Sequence, residues 1–117
     1  MNNMKQEEIA RDGIIFLKSE YKTVRIKLDE ILYVEGVKDY VRLHLLGGKT
    51  LLSQVGIRAM EEALPSPWFM RVHRSYICNM RNLEVVDRMR LVYEGVFIPV
   101  SETYKASVQD FLTRHSA

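Results

Sequence analysis

A chain of 117 residues, 47% hydrophobic and 27% charged with a formal charge of +2, has the content of one globular domain with one modest core. No apolar stretch approaches the roughly 18 to 20 residues that cross a bilayer, and the polar start MNNMKQEEIARDG lacks the apolar run of a signal peptide. A cytoplasmic protein with no membrane partner is therefore expected. A single cysteine, Cys78, excludes an intrachain disulfide framework, and His44, His73 and His115 fall at no zinc-type spacing, so no metal or other cofactor is expected.

Residues 1–13 are polar, show no sustained apolar period and end in the turn signal Asp12-Gly13; they read as a linker or tail ahead of a domain spanning 14–115. Ile14 to Leu17 and Tyr21 to Leu28, the latter alternating Val24, Ile26 and Leu28 against Thr23, Arg25 and Lys27, predict two strands joined through Lys18-Ser19-Glu20. Ile31 to Glu35 and Tyr40 to Leu46 follow as strands around the loop Gly36-Val37-Lys38-Asp39, and Gly47-Gly48 leads into a further strand at Lys49 to Ser53. Only two stretches carry a helical period. Val55 to Leu64 places Ile57, Met60 and Leu64 on one face and stops at Pro65 and Pro67. Ser101 to Arg114 can start on Ser101 as cap, with Tyr104, Val108, Phe111 and Leu112 as its apolar stripe. Trp68 to Val72, Tyr76 to Cys78, Val85 to Arg88, Leu91 to Tyr93 and Val96 to Val100 complete a set of short strands, so the fold class is mainly β with one short internal helix and a C-terminal helix.

Charge is unevenly placed. From Ala63 to Leu83 there is no acidic residue, while Arg71, His73, Arg74 and Arg81 all lie inside that run. With Trp68, Met70 and Val72 on a core face, period-2 geometry sends Phe69, Arg71 and His73 to the opposite face and leaves Arg74 where the strand turns. Arginine offers a planar donor fork for phosphate or for the O6/N7 edge of guanine, and serine hydroxyls commonly meet phosphate. The plainer alternative is a solvated strand end whose arginines pair with nearby carboxylates. Lys38-Asp39-Tyr40 presents a cation, a carboxylate and a phenol at a loop tip, or is simply a turn. The strand-to-helix junction at Ser101 offers free N–H groups to an anion, or only a helix cap.

Enzyme chemistry finds little support. Cys78, between Ile77 and Asn79, reads as a small buried thiol rather than a nucleophile; Glu61 and Glu62 diverge on a helix; Gly47-Gly48-Lys49-Thr50 lacks the upstream glycine of a phosphate loop. Two binding readings compete with duplex recognition: a protein-interaction surface formed by exposed strand edges or the Trp68-Phe69 region, and a single-strand or RNA binder stacking bases on Tyr21, Tyr33, Tyr40 and Tyr76.

Taken in order, Ile31-Leu32-Tyr33-Val34-Glu35, Lys38-Asp39-Tyr40-Val41, Met60-Glu61-Glu62-Ala63-Leu64-Pro65, Phe69-Met70-Arg71-Val72-His73-Arg74-Ser75-Tyr76-Ile77-Cys78-Asn79 and Ile98-Pro99-Val100-Ser101 with Tyr104-Lys105 resemble the LytTR family of bacterial DNA-binding output domains. The resemblance covers about residues 14–113. It implies an elongated, mainly antiparallel β domain without catalytic activity, a transcription regulator that places loop side chains in successive major grooves of double-stranded DNA. It further implies promoter direct repeats occupied by adjacent copies, and an upstream receiver domain of a two-component response regulator; residues 1–13 are then either the end of a linker to it or the start of a stand-alone regulator. Carried over by position, base contacts fall to Lys38, Asp39 and Tyr40, to Arg74 with a guanine preference, and to Glu102 or Thr103. Glu102 stands where some relatives carry a base, so it either accepts from cytosine, leaves the contact to Thr103 or caps the helix. Arg71, His73, Ser75, Asn79, Arg81, Ser101 and Lys105 are implied as phosphate contacts or as residues that hold the loops in place.

Overall fold

The computed structural model describes residues 3–117. It opens on a helix, α1 (Met4–Asp12), where the sequence reading predicts a linker or tail. The helix has ordinary end signals: the Asn3 side chain accepts from the Gln6 N–H at 2.8 Å, and Gly13 closes it with φ 71° and an N–H donated to the Ile9 carbonyl at 2.8 Å. Its apolar content is too thin to show a period. Ile9 and Ala10 nonetheless pack on the core, and buried Gln6 donates to the Glu62 carbonyl at 2.8 Å.

Strands β1 (Ile14–Ser19) and β2 (Lys22–Lys27) form a hairpin whose turn residues Glu20 and Tyr21 both take left-handed φ. Strands β3 (Ile31–Val37), β4 (Tyr40–Leu45), β5 (Thr50–Ser53), β6 (Phe69–His73) and β7 (Tyr76–Asn79) make a central five-stranded sheet in the order β5-β4-β3-β7-β6, antiparallel at every pair. Helix α2 (Ile57–Ala63) links β5 to β6. Strands β8 (Val85–Asp87), β9 (Arg90–Tyr93) and β10 (Val96–Pro99) form a three-stranded sheet, and a single helical turn at Glu102–Tyr104 leads into α3 (Lys105–Arg114). Mainly antiparallel β structure in a body 43 × 29 × 25 Å agrees with the expected fold class, with one helix more than expected.

The central sheet is covered on both faces. On one, Val34, Val41, Leu43, Phe69 and Ile77 meet β1, β2 and α2; on the other, Tyr33, Val72 and Cys78 meet β9, β10 and α3. This corrects the expected facing of β6. Phe69 is 3% exposed and stacks with Trp68 in the first core, so it is no part of a wet cationic face. A register shift between Arg71 and His73 then separates those two residues: Arg71 pairs with Ile77, and His73 pairs with Tyr76 on the opposite face. Strict alternation fails because a bulge and a second core are both invisible to period-2 counting.

Candidate nucleic-acid interface

Three chain reversals lie at one end of the central sheet. The β3–β4 turn carries Lys38 at φ 58°, with Lys38 and Asp39 exposed at its tip. The β6–β7 turn carries Arg74 and Ser75, and its Ser75 carbonyl accepts from the Gly36 N–H at 2.8 Å, fastening it to the strand that leads into the first turn. The third is the junction before α3, where the Ser101 N–H donates to the Val72 carbonyl at 3.0 Å. Backbone hydrogen bonds thus tie all three reversals edge to edge, and no element needs to move to bring them together.

The β6–β7 turn is held from inside by Arg71. Its side chain is only 14% exposed, and its guanidinium donates to Glu61 Oε1 at 2.7 Å, to the His73 carbonyl at 2.8 Å and to the Arg74 carbonyl. His73 Nδ1 accepts from the Ser75 N–H at 3.1 Å, and its ring leans on Tyr76. Arg74 itself is exposed and has no side-chain hydrogen bond or ion pair among the described residues. The two neighbouring arginines of the acid-free run therefore differ completely, because a carboxylate from α2 reaches one and not the other. Tyr40, 36% exposed, accepts through its hydroxyl from Gln54 Nε2 at 3.1 Å. Glu102 pairs with Lys105 at 2.9 Å, Thr103 is exposed, and Ser101 makes no side-chain capping bond.

The LytTr DNA-binding domain family matches this chain over residues 21–113, the stretch that contains all three reversals. The chain belongs to that family. Two relatives named sensory transduction protein LytT, from Bacillus anthracis and Bacillus cereus, are each 28% identical, across 93% and 80% of this chain. These alignments take in 48% and 44% of the relatives, so the chain spans about half the length of the curated proteins it matches. A solved LytTr DNA-binding domain from Bacillus cereus superposes with a TM-score of 0.71 at 21% identity, covering 86% of this chain and 96% of that one, which shows the shared fold.

Within this LytTr domain, Asn79 and Arg81 stand apart from the other site candidates. Both lie at the opposite end of β7. Asn79 is fully buried, donates to the Leu28 and Ile31 carbonyls at 3.1 and 2.8 Å and accepts from the Arg81 N–H at 3.0 Å, while the Arg81 guanidinium lies 3.7 Å over the Trp68 ring. Sequence reasoning also passes over Glu61 as the partner of Arg71 and Gln54 as the partner of Tyr40, since neither falls at a spacing that marks a site. Beneath the first turn, Glu35 receives His44 at 2.9 Å and Arg42 at 3.5 Å, with His44 stacked on Tyr33. Burial pushes the Cys78 thiol up to about 12, which leaves it protonated and unreactive at neutral pH. No helix among the described residues is long and apolar enough to cross a membrane.

Proposed function

We propose that this domain is a sequence-specific reader of double-stranded DNA in transcription regulation. In this reading Lys38, Asp39, Tyr40, Arg74 and Glu102 or Thr103 face base edges, and Ser75, Ser101 and Lys105 face the backbone. The observation that carries it is the hydrogen-bonded row of three reversals at one sheet end, with Arg74 exposed at its centre and unpaired among the described residues. In the order β5-β4-β3-β7-β6 the β3–β4 and β6–β7 turns are centred two strand spacings apart, about 10 Å, which fits the mouth of one major groove about 12 Å wide, and the Ser101 junction lies farther along, past β6. The LytT relatives are named for sensory transduction and are about twice the length of this chain, which supports an output role beside another domain; a receiver upstream and copies on adjacent direct repeats are further parts of the proposal.

Tyr33 is 5% exposed and packs edge-on to Tyr76, and Trp68 and Phe69 are buried, which removes those platforms; Tyr21, fully exposed, and Tyr40 stay open to an unpaired base, so the choice between single strands and duplex belongs to the test. Selection of bound sites from a random duplex pool tests the proposal. Enrichment of one motif, repeated at a fixed interval, is the expected result; a pool that stays random, or preferential capture of single strands, would refute it.

A further inference from the structure

The β1–β2 hairpin belongs to none of the three reversals, yet its tip stands beside them. The Lys18 carbonyl accepts from Ser53 Oγ at 2.7 Å, at the end of β5 where Gln54 meets Tyr40. Between the tip and that end lies a groove of about 420 Å³ lined by Lys18, Ser19, Glu20, Tyr21, Tyr40, Leu52 and Gln54. The tip is shaped by its backbone: Glu20 and Tyr21 take φ of 50° and 64°, and the Tyr21 side chain is fully exposed.

Cross-strand register sorts the charges. Lys18 lies opposite Thr23 and Phe16 opposite Arg25, so Lys18 and Arg25 share the outward face, while Lys22 is exposed at the tip opposite Ser19. None of these three cations has an ion pair or side-chain hydrogen bond among the described residues. The one nearby carboxylate on the hairpin is Glu20, at the turn itself. A solvated charged face would look similar in isolation. Its placement separates the cases, because the tip that carries Lys18 and Lys22 meets Tyr40 and Gln54 at the sheet end that holds the three reversals.

We propose that this hairpin is a fourth contact element, with Lys18, Lys22 and Arg25 gripping the phosphate backbone of the duplex flanking the bases read by the Lys38 turn. The Tyr21 hydroxyl is placed to donate to the same strand. The inference rests on the DNA-binding reading and adds a polarity to it. Only the flank on the Lys38 side is held, because the hairpin tip meets Tyr40 and the end of β5, whereas the Ser101 junction is bonded to β6 at the other side of the row.

The test uses the selected duplex in three lengths: minimal, extended on one side, and extended on the other. The Lys38 side is identified as the one whose base positions lose discrimination in Lys38→Ala. Anisotropy titrations should show tighter binding for the extension on that side alone. In Lys18→Gln/Lys22→Gln/Arg25→Gln the gain should vanish, and the slope of log affinity against log salt should fall by about 0.9 for each phosphate no longer neutralised. Wild-type affinity indifferent to both extensions, or a variant that keeps the gain and the slope, would overturn the fourth element while leaving the DNA-binding reading intact. Failure of the wild-type domain to prefer the minimal duplex over random DNA would remove that reading itself. Should the triple variant not fold, the wild-type length series still decides.

Discussion

Arg74 and Asn79 sit at the two ends of one hairpin, and chemistry assigns them opposite work. Arg74 lies exposed on the turn between β6 and β7, and in the proposed reading its guanidinium meets a guanine edge. Arg74→Ala should lower affinity for the selected site by about 1 to 3 kcal/mol and erase discrimination at one base position, read by titration against single-base variants of the duplex. Equal reductions on selected and random DNA would refute base reading by this residue. Asn79 meets no solvent, and its amide satisfies the Leu28 carbonyl of the one-turn segment after β2 and the Ile31 carbonyl at the start of β3. Asn79→Ala should cost about 2 kcal/mol of folding stability in denaturant titrations, since buried carbonyls are left without their donor, with no change in site preference.

Elements show how far sequence carries. Alternation locates the strands within a residue or two because most have one clearly buried side, and Pro65 marks the end of α2 as expected. Helix α1 escapes because its stability comes from end caps and from two adjacent packing residues, Ile9 and Ala10, which make no stripe. Asn3→Ala should therefore destabilise the fold by about 1 kcal/mol, the usual worth of such a cap, while leaving DNA affinity alone. The turn between β6 and β7 illustrates the other limit. The residues Arg71, His73 and Arg74 are legible as a basic cluster, but their division of labour depends on a bulge and on Glu61 from another element. Arg71→Ala should weaken specific binding yet leave the salt slope unchanged, because the deleted group holds a turn. A slope lowered by about 0.9 would instead make Arg71 a phosphate ligand.

At the scale of the whole molecule, the second core collects groups that resist ionisation. Burial pushes the Tyr33 phenol and the Cys78 thiol each up to about 12, from 10.0 and 9.0, and raises Tyr76 and Tyr93 as well. Such groups keep their protons in the folded state after the unfolded chain has released them. Their contribution to stability is complete below about pH 9 and is lost progressively as pH climbs toward about 12. Thermal unfolding midpoints should hold flat through neutral pH and fall above pH 9, and Cys78→Ala should make that alkaline fall shallower.

The attachment of α1 has a practical corollary. Asn3 lies against the Glu62 carbonyl near the C-terminal end of α2, whose first residue, Ile57, packs on Gly36 at the end that carries the reversals. Glu62 is in turn the neighbour of Glu61, which holds Arg71 and through it the β6–β7 turn. A fluorophore or affinity handle joined ahead of Asn3 is therefore attached to a cap one residue along α2 from the support of that turn, and DNA affinity compared with and without the handle reports whether the support is disturbed.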